Sequence, residues 1–167
     1  MTNNIILNKE EIQIKLLRLS YEVAESMNNV DSLIIIGIKE NGFVIANQLH
    51  QLLKKIFKNN ITIIGASLDK ANPKEVIFDT EIDFNKKNVL IVDDVCNSGK
   101  TLLYTLKPLL NSFPNKIEIL VLVDRIYKQF PVKPNYVGLS LATTLSDFVE
   151  VKIDGKEVLG AFVKHYQ

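Results

Sequence analysis

One stretch of the chain reads Val89-Leu90-Ile91-Val92-Asp93-Asp94-Val95-Cys96-Asn97-Ser98-Gly99-Lys100-Thr101. Its four leading apolar residues are typical of a strand buried on both faces of a parallel sheet. Asp93 and Asp94 then lie at the carboxyl end of that strand, where such sheets bind ligands. The small polar residues that follow begin a helix, whose free N–H groups suit a phosphate. Because carboxylates accept hydrogen bonds from ribose hydroxyls and help hold Mg²⁺, the segment predicts a sugar-phosphate site.

Two other interpretations of this segment have to be weighed. Ser98-Gly99-Lys100-Thr101 contains the Gly-Lys-Thr of a Walker A loop, but that motif needs a glycine five positions before Gly99. The chain has Asp94 there, so the nucleotide-triphosphatase interpretation fails at a required residue. The remaining alternative is an acidic strand end followed by a helix cap, with no ligand.

The rest of the chain alternates apolar runs with amphipathic stretches of helical period, a pattern that indicates a parallel sheet with helices on its faces. The predicted helices run from about Lys9 to Met27, Phe43 to Phe57 and Ser98 to Ser112. The predicted strands are Ser32 to Ile38, Ile61 to Ser67, Val76 to Phe78, Val89 to Val92, Ile117 to Val123, Tyr136 to Gly138, Phe148 to Ile153 and Val158 to Val163. With no linker or repeat in view, we expect one domain over residues 1–167.

Three local signals refine these elements. Asn8 with Glu11 three residues later predicts a capping box for the first helix. Pro108 lies inside the third helix and should kink or shorten it. Asp154-Gly155, between the last two strands, predicts a hairpin.

The composition excludes several classes of protein. A net charge of +1 gives no general attraction to nucleic acid or membranes. The one cysteine, Cys96, rules out an intrachain disulfide and fits a reducing compartment. The start of the chain has no signal-peptide core, and the apolar runs are shorter than the roughly 18 residues of a membrane helix. We therefore expect a cytoplasmic protein.

The segment at 89–101 resembles the phosphoribosyl pyrophosphate (PRPP) signature of type I phosphoribosyltransferases, with four apolar residues, two acids and a hydroxyl-rich loop ending in Gly and Thr. This resemblance implies an α/β fold with a mostly parallel central sheet flanked by helices, a small hood and a short flexible loop. It also implies that Asp93 and Asp94 act in catalysis, contacting the ribose hydroxyls and helping to hold Mg²⁺. The loop that it assigns to PRPP is Val95, Cys96, Asn97, Ser98, Gly99, Lys100 and Thr101.

A second match is Gly37-Ile38-Lys39-Glu40-Asn41-Gly42, which is similar to the family's pyrophosphate loop. The resemblance implies that Gly37, Glu40, Asn41 and Gly42 contact the pyrophosphate and that Lys39 neutralises it as it leaves. Closely similar members usually carry arginine in place of Asn41, so this chain lacks one cation. Taken by itself, the turn also fits an ordinary strand-to-helix connection.

The C-terminal third contains Leu120-Val121-Leu122-Val123-Asp124-Arg125, followed by Phe130-Pro131-Val132-Lys133-Pro134-Asn135-Tyr136-Val137-Gly138. These stretches resemble the PyrR-type group of pyrimidine-operon regulators and uracil phosphoribosyltransferases, and the likeness to that group runs from about Ile6 to about Ala161. By this resemblance Val123, Asp124 and Arg125 would lie around the base. A surface ion pair between Asp124 and Arg125 is the alternative.

The resemblance implies transfer of 5-phosphoribosyl from PRPP to a nucleobase, with pyrophosphate and a nucleoside monophosphate as products. Uracil is the first choice of base and a 6-oxopurine the second, and the family implies a homodimer or larger homo-oligomer. The loop at 67–81 is shorter than in the PyrR-type group and carries only Asp69, Lys70 and Lys74 as charged residues in its first half.

The alternative function is a regulator that senses PRPP or a nucleotide with weak or no turnover. An RNA-binding attenuator is a narrower form of it. We expect no RNA binding, because Leu17 and Tyr21 stand on the first helix where the regulators carry polar residues, and Lys128 is the only cation in the four residues after Arg125.

Overall fold

The computed structural model describes residues 3–69, 71–144 and 147–165, so Lys70 of the predicted loop lies outside the described residues. The helices of the described chain are α1 Lys9–Ser26, α2 Asn41–Ile56 and α3 Lys100–Leu109. Its strands are β1 Asn3–Asn8, β2 Ser32–Ile38, β3 Asn60–Ser67, β4 Ile77–Phe78, β5 Asn88–Cys96, β6 Lys116–Arg125, β7 Tyr136–Leu141, β8 Asp147–Asp154 and β9 Glu157–His165.

The larger sheet has the strand order β4-β3-β2-β5-β6-β7, and only the short β4 runs antiparallel to its neighbour. Its central strands are buried on both faces, as the apolar runs at 33–38, 89–92 and 119–123 predict. Along β2, Leu33 and Ile35 join the core beneath α1 and α2, whereas Ile34 and Ile36 join the core beneath α3. The predicted α/β fold, with a mostly parallel sheet flanked by helices, is confirmed.

A small antiparallel sheet of order β1-β9-β8 forms the hood. Its β8–β9 hairpin turns at Gly155, whose φ of 56° is left-handed, as the Asp154-Gly155 pair predicts. The sequence analysis did not predict β1, which has a short apolar run and gains its ladder only from β9 at the other end of the chain. Val149 and Val151 of β8 share a core with α1 and α2, and this packing sets the hood beside β5.

The local signals at the helix ends are confirmed. Asn8 Oδ1 accepts from the N–H of Glu11 at 2.8 Å, and Glu11 Oε2 accepts from the N–H of Asn8 at 2.8 Å. Helix α3 ends at Leu109, one residue after Pro108 and three residues short of the predicted end. Helix α2 begins at Asn41, two residues earlier than predicted. Among the described residues, no helix has the length and apolar character needed to cross a membrane.

His50 is a polar side chain on the buried face of α2. It is 8% exposed, and its Nε2 has no hydrogen-bond partner among the described residues. Burial, with a smaller contribution from Lys54, lowers the pKa of the imidazole below 6.5. The unfolded chain therefore binds this proton at a higher pH than the folded protein does, so acid destabilises the fold through His50.

We expect His50→Leu to flatten the pH dependence of stability. In the wild type, the contribution of neutral His50 is complete above the pKa of the unfolded imidazole and is lost as pH falls through the lower folded pKa. Urea titrations at about pH 5, 6 and 7 measure this change. Gln51→Leu, an exposed change on the same helix, should keep the wild-type slope. If the free energy of unfolding changes with pH equally in His50→Leu and the wild type, the acid sensitivity does not come from His50.

Gly42 lets the first turn of α2 lie against the end of β5. A Cβ atom on Gly42 would lie 2.8 Å from the carbonyl oxygen of Val92 and 2.9 Å from both Cα and Oδ1 of Asp93. Two of these atoms belong to the backbone of β5, so a side chain at position 42 would force α2 and β5 apart. The glycine thus fixes the distance between α2 and the acidic end of β5.

We expect Gly42→Ala to destabilise the protein by about 1–3 kcal/mol through this overlap, although alanine favours a helix interior by about 1 kcal/mol. Chemical denaturation measures the free energy of unfolding, and the amide resonances of Asp93 and Asp94 should shift. Asn47→Ala, a change to the same residue on the same helix, is the control. A Gly42→Ala variant more stable than the wild type would show that the contact is loose.

Candidate functional site

A cavity of about 380 Å³ lies at the carboxyl end of β5. One wall is the end of β5 with the loop into α3, at residues 93–99 and 101–102, and the other is strand β8 at residues 148–151. Asn41, the first residue of α2, joins the two walls. The fold thus brings the predicted acidic pair, the predicted phosphate loop and one residue of the predicted pyrophosphate loop to one place.

The adjacent carboxylates of Asp93 and Asp94 are held by hydrogen bonds. Asp93 is 2% exposed and Asp94 is 8% exposed. Asp93 Oδ1 accepts from the N–H of Asp94 at 2.9 Å, and Asp94 Oδ1 accepts from the N–H of Val95 at 2.9 Å. Asn41 Nδ2 donates to the other oxygen of Asp94 at 2.8 Å. Both side chains are therefore oriented before any ligand arrives.

The loop from β5 into α3 has a defined backbone. Gly99 precedes the helix with φ 81°, a left-handed conformation that glycine adopts without strain. Ser98 Oγ accepts from the N–H of Lys100 at 3.2 Å, and the carbonyl of Ser98 accepts from the N–H of Phe130 at 3.0 Å. This loop leads into the amino-terminal turn of α3, whose N–H groups suit an anion.

Lys100 is the member of the predicted phosphate loop that does not line the cavity. Its Nζ donates to the carbonyl of Ala71 at 3.2 Å and so contacts the loop after β3. Within that loop, Asp69 Oδ1 accepts from the N–H groups of Ala71 and Asn72 at 2.9 and 3.3 Å. The predicted short flexible loop therefore meets the phosphate loop at Lys100.

The predicted pyrophosphate loop contributes only Asn41 to the described lining of the cavity. Lys39 Nζ lies 3.0 Å from Asp79 Oδ2 and 5.6 Å from the ring centre of Phe43. The N–H of Gly65, donating to the carboxylate, and then the Lys39 ammonium lower the pKa of Asp79. Glu40 is exposed at the start of α2.

Both glycines of this loop are sites of close approach. A Cβ atom on Gly37 would lie 2.7 Å from Cα of Phe43, so the end of β2 touches the first turn of α2. Gly42 makes the corresponding approach to Asp93, as described above. The close packing of α2 against β2 and β5 thus explains why glycine stands at positions 37 and 42.

The predicted base-site residues lie outside the described cavity lining. Val123 is in the core. Asp124 Oδ1 accepts from Lys128 Nζ at 2.7 Å, and the carboxylate is buried. Arg125, also buried, donates through Nε and Nη2 to Thr143 Oγ1 and the carbonyl of Thr144, both at 2.8 Å. Asp124 is therefore paired with Lys128 rather than with Arg125.

Cys96 is buried at the end of β5. Burial, followed by the neighbouring Asp124 carboxylate, raises the pKa of the thiol to about 12. A thiol that stays protonated is a poor nucleophile.

The sequence analysis missed the wall formed by β8. Phe148, Val149, Glu150 and Val151 line the cavity, and Glu150 forms a 2.7 Å ion pair with Lys164 on β9. The alternation of buried valines with Phe148 and Glu150 is visible in the sequence and marks a half-buried strand. The position of that strand beside β5 is set by packing between distant parts of the chain and has no local signal.

The described lining is acidic: it includes Asp93, Asp94 and Glu150 and holds no lysine or arginine. This set fits Mg²⁺, which takes one or two carboxylates together with oxygen atoms of a phosphorylated ligand. No group of three or more His, Cys, Asp or Glu side chains in the described chain could enclose a metal ion alone. A cation held here would therefore be shared with the ligand.

Comparisons with known proteins identify the family of this chain. The model of the phosphoribosyl transferase domain matches residues 2–154. The bifunctional protein PyrR of Fusobacterium nucleatum is 32% identical over 166 residues, covering 92% of this chain and 94% of that protein. The PyrR of Actinobacillus pleuropneumoniae serotype 5b is 28% identical over 158 residues, covering 89% and 88%.

Solved structures share the fold. A hypoxanthine-guanine phosphoribosyltransferase from Bacillus anthracis has a TM-score of 0.77 at 19% identity, covering 96% of this chain and 98% of its own. The hypoxanthine phosphoribosyltransferase of Trypanosoma cruzi has a TM-score of 0.78 at 18% identity, covering 94% and 95%. The domain match over most of the chain, on a structure that gathers Asp93, Asp94 and the loop before α3 into one cavity, shows that this chain belongs to the phosphoribosyltransferase family.

Proposed function

We propose that this protein transfers the 5-phosphoribosyl group from PRPP to a nucleobase and releases pyrophosphate, with uracil as the preferred candidate base. The observation that carries the proposal is the shared cavity of the acidic pair and the loop that begins α3. Uracil is favoured by the resemblance to the PyrR-type group, and a 6-oxopurine is the second candidate. The proposed unit is one domain over residues 1–167, acting in the cytoplasm as a homodimer or larger assembly without RNA.

Each part of the cavity has a proposed role. Asp93 and Asp94 accept hydrogen bonds from the ribose hydroxyls, and the loop at 95–101 holds the 5-phosphate through its N–H groups, Ser98 and Thr101. Mg²⁺, when bound at the acidic pair, neutralises charge on the pyrophosphate oxygens. Because Mg²⁺ prefers oxygen ligands, Asp93 and Asp94 are the protein groups that would hold it.

The proposed reaction needs positioning rather than a protein nucleophile. The bond between C1 of the ribose and the pyrophosphate oxygen breaks through an oxocarbenium-like state and the electron pair leaves with pyrophosphate. A ring nitrogen of the base forms the new bond at C1 and gives up its proton to the solvent or to the pyrophosphate. The protonated, buried thiol of Cys96 is consistent with this, since it offers no competing attack. Fixed carboxylates and N–H groups lower the barrier because they need no reorganisation during the reaction.

A second candidate, a sensor of PRPP or of a nucleotide with little turnover, is favoured by the pyrophosphate side of the site. Lys39 is paired with Asp79, and Asn41 stands where similar members carry arginine. A site with fewer available cations stabilises the leaving pyrophosphate less, because a hydrogen bond to a charged group contributes about 1.5–3 kcal/mol.

We expect the protein to release pyrophosphate from PRPP and Mg²⁺ when one base is present, and Asp94→Asn to lose that release. The reason is that the variant removes the carboxylate charge that we propose binds both the ribose hydroxyls and Mg²⁺. Uracil, hypoxanthine, guanine, xanthine and adenine are offered singly in a coupled pyrophosphate assay. Asp31→Asn, the same change on the exposed surface, is the control and should behave like the wild type.

If no base causes the protein to release pyrophosphate, the proposal that it is an enzyme is wrong. If PRPP or a nucleotide still binds in calorimetry and Asp94→Asn abolishes that binding, the sensor is the function. If Asp94→Asn still releases pyrophosphate at the wild-type rate, the acidic pair does not have the role that we propose for it.

We expect Lys39→Met to raise KM for PRPP about ten-fold or more and to lower kcat, because it removes the cation proposed to neutralise the pyrophosphate. Steady-state kinetics at saturating Mg²⁺ measure both constants. Lys54→Met, in the last turn of α2, is the matched control. If KM and kcat are unchanged in Lys39→Met, Lys39 forms its ion pair with Asp79 but does not act on the pyrophosphate.

A further inference from the structure

Strand β8 is the outer strand of the hood sheet, and none of the described strands pairs with its other edge. An open edge leaves backbone N–H and C=O groups without ladder partners. Val149 and Val151 lie two residues apart on β8 and so present their backbone groups to the same edge. Both residues also line the cavity, which places this edge against the end of β5.

Asn97 bonds to this edge as a peptide group of a neighbouring strand would. Its Oδ1 accepts from the N–H of Val149 at 3.2 Å, and its Nδ2 donates to the carbonyl of Val149 at 3.1 Å. Such a reciprocal pair of bonds is the unit of an antiparallel ladder. One side chain from the phosphate loop therefore satisfies both backbone groups of Val149.

Asn41 makes the second attachment, two residues further along. Its Nδ2 donates to the carbonyl of Val151 at 3.0 Å and to Asp94 Oδ2 at 2.8 Å. A primary amide has two N–H donors, so these two bonds use both of them. The same side chain joins the hood to the predicted catalytic carboxylate.

We infer that Asn41 and Asn97 are positioning residues that fasten the open edge of β8 to the end of β5, and that Asn41 also fixes the carboxylate of Asp94. The position that the family resemblance assigns to a pyrophosphate-binding cation thus serves in this chain as a neutral brace. The inference about binding rests on the proposed function, because PRPP is the probe; the inference about the edge does not.

Amide hydrogen exchange measured by NMR tests the attachment without any ligand. Asn97→Ala and Asn41→Leu, whose side chain has the branched shape of asparagine but no hydrogen-bond donor, should each speed the exchange of the Val149 N–H about ten-fold. Asn47→Ala, whose amide donates only to Phe43 within α2, should leave it unchanged. The amide of Leu90, deep in β5, reports whether a variant is loosened globally.

Unchanged exchange at Val149 in Asn41→Leu overturns the brace, and unchanged exchange in Asn97→Ala overturns the reciprocal pair. Faster exchange at Val149 and Leu90 alike overturns the local attachment in favour of general destabilisation. None of these outcomes depends on turnover, so they remain decisive if the protein releases no pyrophosphate.

Calorimetric titration of PRPP at several Mg²⁺ concentrations tests the role of Asn41 toward Asp94. Asn41→Leu should weaken PRPP binding about ten-fold and raise the Mg²⁺ concentration needed for half-maximal binding. Asn97→Ala should change the Mg²⁺ requirement less, because it leaves the bond from Asn41 to Asp94 in place. Equal Mg²⁺ requirements in Asn41→Leu and the wild type overturn this role, whereas failure of the wild type to bind PRPP counts against the proposed function alone.

Discussion

The close approach of α2 to the end of β5 is the constraint on which the site depends. It is possible because Gly42 has no side chain to separate the helix from Asp93. With the helix that near, its first residue, Asn41, reaches Asp94 on one side and the hood on the other. The orientation of the Asp94 carboxylate and one of the attachments of the hood thus depend on this backbone contact.

The charges of the cavity place a demand on its ligand. Its described lining contributes carboxylates, and the nearest cations of the predicted loops are held elsewhere, Lys39 by Asp79 and Lys100 by Ala71. The described residues can then hold a polyanion through N–H and hydroxyl groups, through a cation shared with the ligand, or through those lysines after they exchange partners. Lys39 can leave Asp79 at little cost in free energy, because both side chains are about one-third exposed and the N–H of Gly65 still binds the carboxylate.

The parts of the fold that could be predicted from sequence are those with local causes. Strands β2 and β5 contain the apolar runs at 33–38 and 89–92, and Asn8 with Glu11 forms a capping box within one turn. The signature at 89–101 placed the acidic pair at the correct sheet edge. Strand β1, the β8 wall and the partner of Lys39 could not be predicted, because each depends on residues that meet only when distant segments pack. The partner of Asp124 is Lys128, only four residues later, and the sequence analysis missed it because it considered only the adjacent Arg125 as a partner.

The pairing of β1 with β9 has a consequence for the order of folding. Asn3 is the partner of Lys164, so the first strand of the described chain completes its ladder only with the last. During synthesis, the strands of the larger sheet leave the ribosome before β9 does and can assemble without it. The hood closes afterwards, at the entropic cost of joining ends this far apart in sequence. A nascent or truncated chain can therefore hold a formed acidic strand end while its cavity still lacks a wall.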